Sequence, residues 1–265
     1  MFYELLAHLT TPCPQYVRHM DYLSEAIAMR GRYRRNRTAW QPHLDRTRQV
    51  VLSAAERTRN RGKVVVLGAG LLLDVPIGEL STMFREVVLL DIVFLPEARR
   101  SVKRYGNVTL VRQDVTNAAR KLYENVQQGS HELPGAAPLV PEIDGNTGLV
   151  VSLNILSQLW VVPRAYALRN MGGFDEDCVD EWCSRIVASH YAFLRSMSCD
   201  TCLVADHEFV KRDREGRLVS KSSTLFGLAL PAPDVSWTWN IMPLGKGRRY
   251  LSKELNVGAW QVQGK

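Results

Sequence analysis

Residues 63–74 read KVVVLGAGLLLD. The β-branched run Val64–Val66 predicts a strand that is buried on both faces, as in a parallel sheet. Gly68 and Gly70 follow at once, and two glycines let the chain turn tightly and bring its backbone close to a ligand. We expect a helix after this turn. Because a leucine stands where a third glycine would cradle a pyrophosphate, the motif disfavours a dinucleotide.

Strand and helix patterns alternate along the rest of the chain, which predicts a doubly wound, mostly parallel sheet. The region before it, residues 1–62, is predicted to be a helical N-terminal extension, with a new helix beginning at Pro42. We therefore divide the chain into residues 1–62 and 63–265. The sheet is expected to have seven strands, the last two forming a C-terminal antiparallel hairpin connected through residues 243–249. Besides 63–67, the predicted strands are 86–92, 107–113, 148–153, 201–205, 235–242 and 255–262.

Polar residues follow the predicted parallel strands at their carboxyl ends, where open α/β sheets bind ligands. Asp91 lies 21 residues after Gly70 and can accept the two hydroxyls of a ribose. Asp114 can accept from an adenine amino group, with the backbone N–H of Val115 beside it. Either aspartate could instead serve as a helix cap. Asn154 follows the fourth strand and can face the reacting part of a ligand.

On the basis of these residues and the strand pattern, the chain resembles the class I S-adenosylmethionine (SAM)-dependent methyltransferases over residues 60–262. Gly68 and Gly70 match the glycine-rich first motif of that family. The resemblance implies that Asp91 binds the ribose and that Asp114 and Val115 bind the adenine. It also implies that Asn154, at the position after the fourth strand, contacts the cofactor. The acidic residue that the family places two positions before the first glycine is Val66 here. Asp74 or the arginines of residues 30–37 are the candidates to hold the amino-acid part of SAM instead.

The resemblance implies methyl transfer from SAM to a small-molecule acceptor. Methyl transfer depends mainly on alignment and the exclusion of water, so no strong acid–base pair is required. The catalytic candidates are Asn154 and His207, with His207 as a base. Residues 1–62 and the segment 163–178 are expected to cover the acceptor. The aromatic candidates for its lining are Tyr16, Tyr33 and Trp40.

Positive charge is concentrated in one segment. The chain carries a net charge of +7, and residues 30–63 contain ten Arg and one Lys against Asp45 and Glu56, so the rest of the chain sums to −2. This segment supports a second candidate function, a methyltransferase that binds RNA or another nucleic acid. Asn154 is not followed by the Pro-Pro-aromatic motif of amino-directed nucleic-acid methyltransferases. A catalytically silent scaffold of the same fold is a third candidate, and an NAD-dependent dehydrogenase is a fourth.

The remaining composition bears on compartment and metal. No apolar run approaches the ~20 residues of a membrane span, and the N-terminus lacks the features of a signal peptide. We therefore expect a cytoplasmic protein. The five cysteines are odd in number and irregularly spaced, which disfavours a disulfide framework. Cys199 and Cys202 form a C-x-x-C pair, but Cys202 begins an apolar strand, so we expect no metal site.

Overall fold

The computed structural model of the chain describes residues 2–244 and 250–262. Three helices come first, and strands and helices then alternate. The helices are α1 (Phe2–Thr10), α2 (Gln15–His19), α3 (Tyr22–Arg57), α4 (Ile77–Met83), α5 (Pro96–Val102), α6 (Ala119–Gln127), α7 (Val161–Asn170) and α8 (Glu176–Arg195). The strands are β1 (Lys63–Leu67), β2 (Glu86–Asp91), β3 (Val108–Arg112), β4 (Thr147–Leu153), β5 (Asp200–Arg212), β6 (Leu218–Ser223), β7 (Val235–Met242) and β8 (Ser252–Gln261).

One mixed sheet contains all of these strands. Seven of them follow the order β3-β2-β1-β4-β5-β8-β7. Strands β1 to β5 are parallel to their neighbours among these five, whereas β8 is antiparallel to β5 and β7 is antiparallel to β8. The predicted mostly parallel sheet and terminal antiparallel pair are confirmed. The predicted connection of that pair falls largely on residues 245–249, which lie outside the described residues.

The predicted count of seven strands is wrong, because the sheet already has eight within the described residues. The missing strand is β6, which pairs antiparallel with the outer half of β5 beyond the point where β4 ends. Every residue of β6 is exposed, and its sequence LVSKSS shows no apolar alternation that would predict a strand. The turn before it did carry a signal, since Asp213 lies three residues ahead of Gly216, which adopts φ +80°.

Helices cover both faces of the sheet because alternate residues of each buried strand point to opposite faces. Val65 and Leu67 of β1 pack on the side that also holds α6, α7 and α8. Val64 and Val66 pack on the other side with α4, α5 and the second half of α3. Strands β1 and β4 are buried along their full length, so the centre of the sheet is the rigid base for residues at the strand ends.

The prediction that a new helix begins at Pro42 is wrong, because α3 continues through Pro42. Its one non-helical residue is Asn36, with φ −118° and ψ 21°, and Pro42 lies inside the helix that follows. The side-chain amide of Asn36 donates to the carbonyl oxygen of Arg32 at 3.0 Å, which stabilises the end of the preceding turn. The kink therefore comes from a polar side chain that competes with the helical backbone.

The first half of α3 lies over the carboxyl ends of the strands. Leu23 and Ile27 pack on the segment after β2, while Trp40 donates from Nε1 to the carbonyl oxygen of Ile241 in β7 at 2.9 Å. A helix from Tyr22 to His43 is about 31 Å long, which is comparable with the roughly 29 Å width of seven strands. One helix thus spans the sheet edge where ligands bind in this class of fold.

Candidate ligand site at the strand ends

A cavity of about 530 Å³ lies between α3 and the carboxyl ends of the strands. The residues around it come from α3, from the loops after β1 to β4, and from β5, β7 and β8. Its lining includes Tyr22, Glu25, Met29, Arg32, Asn36, Trp40, His43, Gly68, Gly70, Asp74, Asp91, Gln113, Asp114, Val115, Asn154, Gln158, Phe209, Trp239, Ile241, Met242 and Lys253. All six residues predicted to bind the cofactor therefore lie at one cavity.

The loop after β1 is shaped by backbone conformations with positive φ. Gly68 has φ +83°, and a Cβ there would lie 2.6 Å from the Cγ2 of Ile155. Gly70 has φ +45°. The helix expected directly after Gly70 is absent, because α4 begins only at Ile77. Leu72 occupies a left-handed conformation with φ +61°, which is uncommon for a residue other than glycine.

Asp91 is held at the end of β2 by the glycine loop. Its Oδ2 accepts a hydrogen bond from the backbone N–H of Gly70 at 2.8 Å, and its Oδ1 accepts a longer one from Val93 at 3.4 Å. Burial raises the pKa of the Asp91 carboxyl to about 6, although these backbone N–H groups oppose the shift. Asp91 is therefore a desolvated carboxylate with acceptor capacity directed at the cavity.

Asp114 serves as a cap at the start of α6. One carboxylate oxygen accepts from the backbone N–H and the hydroxyl of Thr116, at 2.9 and 2.7 Å. The other accepts from the N–H of Ala119 at 2.8 Å. The cap role that the sequence allowed for Asp114 is thus present in the structure. Asp114 still lines the cavity, so the same hydrogen bonds fix the position of its carboxylate at the cavity wall.

Asn154 and Asp74 form a polar pair at the centre of the cavity. The Nδ2 of Asn154 donates to an oxygen of Asp74 at 2.8 Å, and Asn154 itself adopts φ +51°. Its Oδ1 is buried and has no hydrogen-bond partner among the described residues. Burial raises the pKa of the Asp74 carboxyl, opposed by the hydrogen bond from Asn154. The loop therefore brings Asp74 to the cavity, whereas Val66 is buried within β1.

The α3 side of the cavity is a stripe of mainly polar residues. Sequence patterns indicated only the arginines of residues 30–37 as candidates there and did not predict the rest of the stripe. The lining residues Tyr22, Glu25, Met29, Arg32 and Asn36 recur every three or four positions, so they share one face of the helix. Arg32 donates to Glu25 at 3.2 Å. The spacing of these residues was visible in the sequence, but a mixed polar and apolar stripe does not stand out from an ordinary helix surface.

An aromatic cluster forms the other end of the cavity. The rings of His43 and Trp239 stack with centroids 4.0 Å apart and planes 4° apart, and Trp40 meets Trp239 edge-on at 4.9 Å. The Nδ1 of His43 accepts from the Nε1 of Trp237 at 3.1 Å. Burial lowers the pKa of His43 to about 3, so its ring is neutral near pH 7.

Several predicted lining residues are not brought to the cavity. Of the three aromatic candidates Tyr16, Tyr33 and Trp40, only Trp40 lines it. The segment 163–178 does not contribute either, since α7 reaches the cavity only through Val161 and Val162 at its start.

His207 is also absent from the lining. It lies at an irregularity of the β5–β8 pairing, with its ring edge-on to Trp260 at 6.1 Å. Its ring packs against Trp260 and does not face the cavity. Among the residues that the structure describes, no group of three His, Cys, Asp or Glu side chains is placed to hold a metal ion. Within the same described residues, no helix is long and apolar enough to cross a bilayer.

No family model matches the sequence, and the search of curated proteins found no match. Among solved structures, the chain is similar to the Burkholderia thailandensis 1,6-didemethyltoxoflavin-N1-methyltransferase with bound 1,6-didemethyltoxoflavin and S-adenosylhomocysteine. That likeness has a TM-score of 0.41 and 15% identity, and it covers 94% of this chain and 93% of the other.

Two further solved structures overlap with most of the chain. The DhpI–S-adenosylhomocysteine complex has a TM-score of 0.38 and 12% identity, covering 88% of this chain and 94% of the other. A putative type II methyltransferase from Anaeromyxobacter dehalogenans has a TM-score of 0.32 and 12% identity, covering 82% and 97%. Because these TM-scores and identities are low, the fold class is argued from the strand order of the chain itself. Five parallel strands in the order 3-2-1-4-5, closed by an antiparallel pair, agree with the sheet that the resemblance to class I methyltransferases implies.

Asp91 and Asp114, two of the three aspartates that line the cavity, are expected to affect stability in opposite directions. Above pH 6 the half-buried, ionised Asp91 costs folding free energy, because its pKa is higher in the folded than in the unfolded chain. Asp91→Asn should therefore raise the free energy of unfolding at pH 7.5 by about 2 kcal/mol. The gain should shrink as the pH falls through 6, where the wild-type carboxyl takes up its proton.

Asp114→Asn is the matched variant. It should lower the free energy of unfolding by about 1 kcal/mol, because both oxygens of Asp114 accept hydrogen bonds and an amide nitrogen cannot accept one. Urea unfolding of both variants between pH 5 and 7.5 measures these differences. A loss of stability for Asp91→Asn at pH 7.5 would contradict the assignment of Asp91 as a desolvated carboxylate.

Proposed function

We propose that this protein binds SAM in the cavity at the strand ends and transfers its methyl group to a small-molecule acceptor. The observation that carries the proposal is Asp91, a desolvated carboxylate that the N–H of Gly70 orients at the end of the second strand of a methyltransferase-type sheet. A ribose offers two hydroxyl donors side by side, and a carboxylate of this kind can accept both.

The adenosine half of SAM fits the end of the cavity near β2 and β3. Asp91 would accept the ribose hydroxyls, and Asp114 would accept from the adenine amino group, with the N–H of Val115 as a neighbouring donor. Tyr22 of α3 lines the same end, and burial raises the pKa of its phenol well above its ordinary value. The phenol therefore stays protonated and can donate a hydrogen bond.

The amino-acid half of SAM fits the centre of the cavity. Its carboxylate and ammonium groups require one cation and one or more acceptors. Arg32 would hold the carboxylate, while Asp74 and Glu25 would face the ammonium group. Asp74, placed by its bond to Asn154, takes the part that an acidic residue at the position of Val66 would play in the family. The unpartnered buried Oδ1 of Asn154 adds an acceptor close to this point.

SAM supplies an electrophilic methyl group on a sulfonium. The chain's own residues would align the acceptor and exclude water. Asn154 sits where cofactor and acceptor would meet, and α3, within residues 1–62, would form the lid on the substrate side. His43 is neutral and buried among tryptophans, so we assign it packing and not proton transfer. His207 has no role in the proposal because it lies outside the cavity lining.

Cofactor binding is expected to be specific for SAM over NAD. Calorimetric titration should give a micromolar dissociation constant for SAM and no measurable binding of NAD, because α4 begins too far from Gly70 to face a pyrophosphate. Asp91→Ala should abolish SAM binding, whereas Asp177→Asn, an exposed change on α8, should leave it unchanged. Absence of SAM binding at millimolar concentration would overturn the proposal in favour of a scaffold role.

Arg32 is expected to discriminate between two adenosine ligands. S-adenosylhomocysteine carries the amino-acid group, whereas 5′-methylthioadenosine lacks it. Arg32→Ala should weaken binding of S-adenosylhomocysteine by about tenfold, the loss of one charge-assisted hydrogen bond, and leave the affinity for 5′-methylthioadenosine unchanged. Arg35→Ala, an exposed change on the same helix, is the control. An equal loss for both ligands would show that Arg32 does not contact the amino-acid group.

A nucleic-acid acceptor is the second candidate. Exposed arginines on α3, among them Arg35, Arg37 and Arg46, favour it because they concentrate positive charge on the helix that covers the cavity. This candidate predicts that a single-stranded RNA oligonucleotide binds with micromolar affinity at 50 mM salt. Its affinity should then fall steeply by 200 mM, and the triple change of these residues to Gln should abolish binding. Fluorescence anisotropy measures both effects, and no binding at low salt would eliminate the candidate.

A further inference from the structure

Beyond the part of the cavity assigned to SAM, the lining changes character. Phe209 of β5, Trp239 of β7 and Lys253 of β8 lie on this side, and Met242 pairs with Lys253 across the β7–β8 ladder. The lining here is aromatic and apolar apart from one cation. Trp239 is 8% exposed and already stacks on His43, so Phe209 is the ring that a planar aromatic ligand would pack against.

Lys253 is one of a pair of lysines. Lys211 of β5 lies directly opposite Lys253 in the antiparallel register. Both ammonium groups flank the Phe209 ring, with Nζ at 5.6 Å from its centroid for Lys211 and 6.0 Å for Lys253. Like charges directly opposite each other in a sheet are destabilising unless an anion lies between them.

The neighbouring carboxylates are engaged elsewhere. Glu208 accepts from Lys221 at 2.7 Å and from Asn256 at 2.6 Å. Glu254 pairs with Arg212 at 3.1 Å. Within residues 2–244 and 250–262, no ion pair involves Lys211 or Lys253. The two ammonium groups are therefore available to an anion at the end of the cavity.

We propose that the methyl acceptor is an aromatic carboxylate whose ring packs against Phe209 beside Trp239, while Lys253 holds its carboxylate. This inference rests on the proposed function, since it names the acceptor class of the same cavity. Lys253 contacts the acceptor directly as a specificity residue. Lys211 reinforces the positive potential from the next strand.

Two probes of equal shape test the charge requirement. 2-Naphthoate and its neutral amide, 2-naphthamide, are titrated by calorimetry into the protein saturated with S-adenosylhomocysteine. We expect naphthoate to bind at least tenfold more tightly than the amide. The preference should disappear in Lys253→Met and weaken in Lys211→Met. It should persist in Lys253→Arg, which keeps the charge, and in Lys121→Met, an exposed change on α6.

The outcomes separate this inference from the cofactor proposal. Equal affinity for the two probes, or a preference that survives Lys253→Met, would overturn the aromatic carboxylate while binding of S-adenosylhomocysteine still stands. Binding of a single-stranded oligonucleotide that depends on Lys253, without binding of naphthoate, would assign the lysines to phosphate and also overturn it. Failure of S-adenosylhomocysteine to bind would remove the basis of both proposals.

Discussion

The docking of α3 on β7 determines the shape of the cavity. Trp40 is buried, hydrogen-bonded to the backbone of β7 and in edge-on contact with Trp239, which in turn stacks on His43. These contacts hold the helix at the far side of the sheet, while Leu23 and Ile27 hold its other end near β2. Because both ends are fixed, the intervening residues lie over the strand ends and close the space in which the polar groups converge.

Closure has an electrostatic consequence. Asp74 and Asp91 are carboxyls whose pKa values burial raises, so in the free protein they lack the solvation that an exposed acid has. A ligand with hydroxyl or ammonium donors would replace the missing water. The proposed cofactor presents both kinds of donor. The desolvated carboxyls thus lower the stability of the free protein and would raise its affinity for the cofactor, as is common at ligand sites.

Sequence patterns predicted the central strands and the residues at their ends, because buried parallel strands are apolar runs and their following polar residues must meet at one edge. They did not predict β6, because all six of its residues are exposed and show no apolar alternation. They also placed the break of α3 at Pro42 and not at Asn36. The contribution of Phe209 and Lys253 to the cavity depends on the length of β5 and on its register with β8, and no local pattern encodes either.

We propose that α3, the loops after β1 to β4 and residues of β5, β7 and β8 enclose a site for SAM. A crystal structure of the protein with S-adenosylhomocysteine tests it most directly. We predict that both ribose hydroxyls lie within hydrogen-bonding distance of Asp91 and that the amino-acid group lies between Arg32 and Asp74. Ligand bound away from Asp91, or an empty cavity at saturating ligand, would contradict this account.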